Sequence, residues 1–154
     1  MPVEYRDLGK GDYKGLRSLI KSVYGDTPKA MFFVGEPADE ELRDLFRRKL
    51  IAMKERKVVD MVALSEGRVI GECELVLNGI QAVVGEIVEK SHRSNGVGSY
   101  LLESCIANAW SLGVKQFYAE VDEENGRAVN FFLKKGFKPR GITNGKLVLV
   151  LDHQ

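Results

Sequence analysis

Arg93-Ser94-Asn95-Gly96-Val97-Gly98 is the stretch that decides the fold of this 154-residue chain. The apolar residues 82–88 precede it and an apolar stripe at helical spacing follows it, so the stretch forms a turn from a strand into a helix. Glycines let a backbone come close to a ligand, and the free N–H groups of a first helical turn favour an anion. The stretch therefore predicts a phosphate or pyrophosphate site, with a turn that holds no ligand as the alternative.

Two common phosphate-binding motifs do not fit this stretch. A P-loop requires Gly, four residues of any type, and then Gly-Lys followed by Ser or Thr. The chain contains no such run. A dinucleotide fingerprint requires a third glycine three residues after the second, where this chain has Leu101. The sequence therefore indicates a pyrophosphate site of another type.

The segments on both sides of the turn predict a mixed sheet. Three antiparallel strands come before it, separated by turn signals at Glu66-Gly67-Arg68 and Asn78-Gly79: residues 58–64, 69–77 and 82–88. A strand, a short helix and a hairpin come after the long helix: residues 114–121, 128–135, 137–142 and 146–151. Because a helix joins strand 82–88 to strand 114–121, these two strands must pair in parallel with a right-handed crossover.

The first third of the chain predicts a strand at residues 3–5 and two helices. Asp12 is a candidate cap of the first helix, and the second begins near Asp39. We therefore expect a single domain over residues 1–154, of the α/β (α+β) class. Its central sheet is predicted to be mixed, mostly antiparallel and of about seven strands, with helices on both faces.

The composition argues against several classes of protein. The net charge of +1 gives no reason to expect nucleic acid as a partner, and the longest apolar runs are too short to span a membrane. The first residues lack the apolar core of a secretory leader. Cys73 and Cys105 have no metal-ligand spacing and are interpreted as buried thiols, so we expect a cytoplasmic protein without a metal.

Two motifs in order resemble the GNAT acetyltransferase superfamily. The first is Arg or Gln, two residues, Gly, one residue, then Gly or Ala, and it is matched by Arg93, Gly96 and Gly98. The upstream Val88 and the pair Leu101-Leu102 also match. The second motif is matched by Asn125, Ala128 and Gly136-Phe137. The resemblance covers the last two thirds of the chain closely and implies the GNAT fold.

The resemblance also implies acetyl-CoA as the cosubstrate and an amine-bearing small molecule or peptide as the acceptor. Transfer in such proteins is direct, in a ternary complex, and many of them are homodimers. Carried over residue by residue, the pyrophosphate lies on the backbone of residues 93–99: Arg93, Ser94, Asn95, Gly96, Val97, Gly98 and Ser99. The pantetheine arm pairs with Glu86, Ile87 and Val88, reaches Asn125 and passes Phe132.

The sequence offers several candidate catalytic groups. In the similar ribosomal-protein N-terminal acetyltransferases, the glutamate at the position of Glu120 is the general base, and Glu86 on the neighbouring strand is its rival. Glu72 and Glu74 are weaker candidates and are expected to face solvent. Many family members place a tyrosine acid where this chain has Phe132, which cannot donate a proton and is expected to pack in the core.

Other interpretations remain open at this point. A non-catalytic acyl-CoA sensor would need the cosubstrate site but no carboxylate, and a nucleotide-binding domain would prefer ATP or NAD. The Met31-Phe32-Phe33 loop is expected either to line the acceptor site or to pack on the core.

Overall fold

The structure is a computed structural model that describes residues 2–26 and 36–152; the predicted Met31-Phe32-Phe33 loop lies outside these residues. Seven strands form one sheet: β1 (Val3–Asp7), β2 (Val58–Ser65), β3 (Arg68–Asn78), β4 (Gln81–Val88), β5 (Gln116–Asp122), β6 (Lys138–Thr143) and β7 (Lys146–Asp152). Four helices of nine or more residues accompany it: α1 (Tyr13–Asp26), α2 (Asp39–Lys54), α3 (Val97–Ser111) and α4 (Gly126–Lys134).

The strands lie in the order β1-β2-β3-β4-β5-β7-β6, and only β4 and β5 are parallel. This confirms the predicted mixed, mostly antiparallel sheet and the crossover through α3. The parallel register runs from Gln81 opposite Gln116 to Val84 opposite Ala119 and ends there. Because β4 continues to Val88 and β5 to Asp122, the two strands diverge beyond this point. The sheet therefore opens at its centre.

Helices cover both faces of the sheet, and the alternation along β3 shows which residues face which helix. A Cβ on Gly71 would meet Leu101 and Val97 of α3, so the side of Gly71, Cys73 and Leu75 faces α3. The opposite side carries Glu72 and Glu74, whose carboxylates contact Lys49 of α2. The α3 face holds the larger core cluster, to which α4 adds Phe132. The α1 and α2 face holds the second cluster.

Three expectations from the sequence need correction. Asp12 does not cap α1: it ends a 3-10 turn, and its carboxylate accepts hydrogen bonds from Arg6 and from the Gly9 N–H. Glu72 does not face solvent, because α2 covers that face of the sheet, and Glu74 is half-buried beside it. The loop between β3 and β4 is Gly79-Ile80, since Asn78 already pairs with Gln81.

Candidate active site

The turn between β4 and α3 leaves the first N–H groups of α3 without a side-chain cap. A short 3-10 turn, Lys90–His92, follows β4, and α3 begins after Gly96. Gly96 has a φ of 83° and Ser94 a φ of 69°, both in the left-handed region. Such turns direct successive backbone N–H groups into a concave surface that suits an anion, and the positive end of the helix dipole adds to it.

A groove of about 420 Å³ lies between this turn and α4, and is called the α3–α4 groove. It brings together ten of the twelve residues predicted to contact the cosubstrate: Glu86, Ile87, Val88, Arg93, Ser94, Gly96, Gly98, Ser99, Asn125 and Phe132. The other two lie elsewhere: Val97 is buried in the core, and Asn95 lines a different surface cavity.

Sequence reasoning missed three polar residues of α4 that line the same groove: Arg127, Asn130 and Lys134. Burial and the charge of Arg93 lower the pKa of Arg127. Arg127 and Lys134 are the two basic residues that α4 adds to the groove wall. Their positive charge suits phosphate groups. The sequence did offer a signal, because Arg127 and Lys134 are seven positions apart on one helix and that spacing puts them on the same face.

Arg93 contributes its backbone to the groove while its side chain fixes the turn. The Nε donates to the Val88 carbonyl oxygen over 2.9 Å, and Nη1 donates to Asp26 Oδ2 over 2.6 Å. The guanidinium therefore ties the end of β4 and the end of α1 to the α3 turn. The motif arginine acts here by positioning the loop.

The start of α4 forms the opposite wall. Asn125 is the N-cap of α4, and its Oδ1 accepts a hydrogen bond from the Ala128 N–H over 3.3 Å. Phe132 is 6 % exposed and packs edge-to-face on Phe137, with ring centroids 5.0 Å apart. Phe132 is thus both a core residue and part of the groove wall.

The diverging ends of β4 and β5 enclose a smaller space of about 60 Å³, called the β4–β5 opening. Glu120 lines it from β5, and Glu86 lines it from β4. Glu120 is exposed and alternates with the buried Ala119 and Val121, so its carboxylate is accessible to water. The two candidate catalytic carboxyl groups therefore border the same opening in different surroundings.

A cavity of about 380 Å³ lies on the other face of the sheet, between α1, α2, β3 and β4, and is called the α1–α2 cavity. Its walls are mainly apolar: Leu16, Ile20, Leu42, Leu45, Phe46 and Ile87. Charged and polar groups complete it: Tyr13, Arg17, Lys49, Glu72, Glu74 and Glu86. Sequence reasoning did not find this cavity.

Lys49 binds three carboxyl groups at the base of the α1–α2 cavity. Its Nζ lies 2.6 Å from Glu72 Oε2, 2.9 Å from Glu74 Oε2 and 3.2 Å from Asp60 Oδ2. Burial and the charge of Glu72 raise the pKa of Asp60 well above its usual range. Burial also acts to raise the pKa of Glu72, but Lys49 and the hydrogen bonds outweigh it, so that pKa is lowered. The cluster thus favours a charged Glu72 and a protonated Asp60.

Comparison with known protein families agrees with this arrangement. Residues 20–137 match the family model described as the acetyltransferase (GNAT) family. The chain belongs to the GNAT acetyltransferase family. A search of curated protein sequences found no significant match to this GNAT chain.

Solved structures share the fold over nearly the whole GNAT chain. PaiA N-acetyltransferase from Thermoplasma acidophilum, in complex with coenzyme A, has a TM-score of 0.82 at 17% identity and covers 99% of this chain and 100% of its own. An acetyltransferase from Salmonella typhimurium that modifies the N-terminal serine of a 50S ribosomal-subunit protein has a TM-score of 0.83 at 12% identity, covering 99% and 95%. A spermidine N-acetyltransferase chimera from Vibrio cholerae and a human enzyme has a TM-score of 0.74 at 19% identity, covering 99% and 96%. At these identities the likeness establishes the fold alone.

Over residues 2–26 and 36–152, none of the helices is both long and apolar enough to cross a membrane. In the same residues, no group of three or more His, Cys, Asp or Glu side chains is arranged to hold a metal ion.

Proposed function

We propose that this GNAT protein is an acetyl-CoA-dependent N-acetyltransferase that moves an acetyl group to a primary amine by direct transfer in a ternary complex. The observation that carries the proposal is that the α3–α4 groove and the α1–α2 cavity both reach Glu86 and Ile87 of β4, where the sheet opens. Two substrates bound in these spaces meet at the β4–β5 opening. Direct transfer requires such a meeting, since the reacting atoms must approach to about 3–3.5 Å.

The proposal assigns the α3–α4 groove to acetyl-CoA. The backbone of residues 93–99 is assigned to the pyrophosphate, since the first N–H groups of α3 have no side-chain cap, and Arg127 of α4 adds positive charge. Beyond Val84, β4 has no described partner strand on its β5 side, so the pantetheine arm is assigned to residues 86–88 along that edge, where Arg93 already occupies the Val88 carbonyl oxygen. The Val88 N–H is proposed to polarise the thioester carbonyl, whose oxygen gains negative charge during attack. The thioester itself supplies the activated acetyl group.

The amine must lose a proton before or during attack, because an aliphatic amine is mainly an ammonium ion at neutral pH, with a pKa near 10.4. We assign this proton to Glu120, directly or through a water molecule. Glu120 borders the opening and is exposed, which suits a carboxylate that exchanges protons with solvent. Glu86 remains the rival for this role.

The acceptor is proposed to enter the α1–α2 cavity, whose apolar walls suit a partly apolar amine. Three acceptor classes are compatible with this cavity: a protein N-terminus, a lysine side chain and a small amine. Structurally similar proteins are described as acting on an N-terminal serine and on spermidine. A screen should therefore include peptides and polyamines.

The first test is thermal unfolding with acetyl-CoA, with ATP and NAD as controls. A ligand at about one hundred times its Kd adds roughly 2.7 kcal/mol to the free energy of unfolding. For a domain of this size, that predicts a rise of about 5–10 °C in Tm. A shift with acetyl-CoA alone supports the donor assignment. Equal shifts with ATP or NAD, or no shift with acetyl-CoA, contradict it.

The alternative function is a non-catalytic acyl-CoA sensor, and one pair of variants separates the two. Glu120→Gln removes the proposed base, while Glu123→Gln changes an exposed carboxylate three residues away. An enzyme should lose turnover by about 10²–10⁴-fold with Glu120→Gln and keep it with Glu123→Gln. Both variants should retain the thermal shift with acetyl-CoA. Binding without turnover in the unmodified chain, across the whole screen, would favour the sensor.

A cytoplasmic location and a homodimer complete the proposal. Cys73 and Cys105 are both buried and unpaired with each other, which is typical of proteins from a reducing compartment. The homodimer is inferred by analogy with the family and is tested by analytical ultracentrifugation.

A further inference from the structure

Glu86 is the residue that lines all three spaces described above: the α3–α4 groove, the β4–β5 opening and the α1–α2 cavity. Its Oε1 is buried and has no hydrogen-bond partner among the described residues. Its Oε2 lies 3.0 Å from the point where a Cβ on Gly98 would stand, and Phe131 lies 3.5 Å from that same point. The carboxyl group thus lies between β4 and the first turn of α3, on the α3 face of the sheet.

A buried carboxyl group with an unsatisfied oxygen is unfavourable for folding, and the penalty is larger when the group is charged. Three titratable groups face Glu86: Cys73 from β3, Cys105 from α3 and Lys135 beyond α4. Burial and Cys105 raise the pKa of Glu86, while a hydrogen bond with Cys73 and the charge of Lys135 lower it. The pKa is raised well above its usual value, so Glu86 keeps its proton to a higher pH than an exposed glutamate does.

The proposed reaction needs an acid near the sulfur of CoA. Breaking the thioester leaves a thiolate, and the tyrosine that supplies a proton in many similar proteins is replaced here by Phe132. Phe132 and Glu86 line both the α3–α4 groove and the β4–β5 opening. A carboxylic acid therefore lies in the same spaces as the position that lacks the phenol.

We propose that Glu86 in its protonated form is the general acid that protonates the sulfur of CoA. This inference rests on the proposed function. The amine nitrogen forms a bond to the acetyl carbon, and the C–S bond breaks with its electron pair going to sulfur. Sulfur takes the proton of Glu86, which becomes a carboxylate, while Glu120 takes the proton of the amine. Solvent restores the proton of Glu86 and removes the proton of Glu120, so amine and acetyl-CoA give amide and CoA thiol.

The acid role and the base role of Glu86 predict opposite pH dependences of kcat. If Glu86 is the acid, kcat falls as the pH rises through the pKa of Glu86. If Glu86 is the base, kcat rises through that pKa. With Glu86 as the acid, Glu120 as the base supplies the rising limb of the profile.

The test compares Glu86→Gln, Phe132→Tyr and the double variant with the unmodified chain. Glu86→Gln keeps the shape of the side chain and is expected to lower kcat by about 10²–10⁴-fold while leaving the thermal shift with acetyl-CoA unchanged. The falling limb of the kcat–pH profile should disappear. Phe132→Tyr places a phenol where many similar proteins have their acid, and it should recover much of the loss in the Glu86→Gln background. Glu55→Gln, an exposed carboxylate at the end of α2, is the matched control and should leave kcat unchanged.

Several outcomes would overturn the assignment. An unchanged kcat in Glu86→Gln excludes the acid role. If kcat falls but the falling limb of the kcat–pH profile remains and Phe132→Tyr does not restore activity, Glu86 has a structural role. A readout independent of turnover is the infrared difference spectrum between the unmodified chain and Glu86→Gln, which should show the carbonyl band of one protonated carboxylic acid. The band of the protonated Asp60 is common to both proteins and cancels in the difference. If no amine is acetylated but this band is found, the proposed function has failed and the acid role with it. If amines are acetylated but the band is missing, the acid role alone has failed.

Discussion

Replacing Lys49 by methionine tests the role of the buried charges beneath the α1–α2 cavity. The side chain of Lys49 is 12% exposed, and its ammonium contacts Asp60, Glu72 and Glu74 within 3.2 Å. Methionine keeps the length of the apolar stem but removes the only cation among these contacts. Removing one partner of a buried ion pair typically destabilises a protein by about 3–5 kcal/mol, because the remaining charge is uncompensated.

That loss is a large fraction of the roughly 5–15 kcal/mol by which such domains are stable. For a domain of this size, each kcal/mol corresponds to about 2–4 °C, so we expect Lys49→Met to lower Tm by about 6–20 °C at pH 7. Urea unfolding should give the same difference in the free energy of unfolding, and the slope of that free energy against urea concentration should not change. Lys54→Met, which changes an exposed lysine on the same helix, should stay within about 0.5 kcal/mol of the unmodified chain.

The stability lost in Lys49→Met should become smaller as the pH falls. The pKa of Glu72 is lowered in the folded protein, so its contribution is present above its unfolded pKa of about 4.3 and is lost as the pH falls through the folded value. Without Lys49, these carboxyl groups must take up protons on folding. The deficit of Lys49→Met should therefore shrink between pH 7 and about pH 4. A deficit below about 1 kcal/mol at pH 7, or one that is equal at both pH values, would refute the reasoning.

Three further predictions concern the turn, the cap and the thiols. Gly96→Ala places a Cβ at a φ of 83°, which costs about 1–2 kcal/mol and should weaken acetyl-CoA binding in a thermal-shift titration; Gly11→Ala, with open space and no positive φ, is its control. Asn125→Ala removes the cap of α4 and should cost about 1 kcal/mol in urea unfolding, whereas Asn125→Asp should retain most of it; equal losses would argue against the cap. Cys73 and Cys105 are fully buried, and the pKa of Cys73 is raised by its hydrogen bond with Cys105 and by burial. A thiol reagent should therefore label neither cysteine until urea unfolds the chain, as mass spectrometry can show. Fast labelling of the folded protein would contradict the burial.

The sequence by itself determined the order of the elements and the position of the α3–α4 groove. Hydrophobic periodicity and turn residues are local signals, and they predicted the three-stranded meander, the parallel crossover and the final hairpin. The Gly96 turn and the Asn125 cap are also local, because each concerns backbone N–H groups within a few residues. For this reason ten predicted cosubstrate residues line one groove.

Only the tertiary structure decided what the acidic residues do. Glu72, Glu86 and Glu120 occur in similar alternating strand patterns, yet one binds Lys49, one is wedged against α3 and one is exposed. The sequence cannot show which helix covers each face of a strand, because that depends on segments far along the chain. Lys49 and Glu72 are 23 residues apart, and the attraction between their charges outweighs burial, so the pKa of Lys49 is raised and that of Glu72 is lowered. The charge state of a carboxyl group follows from its distance to water and to other charges, and both are fixed by packing.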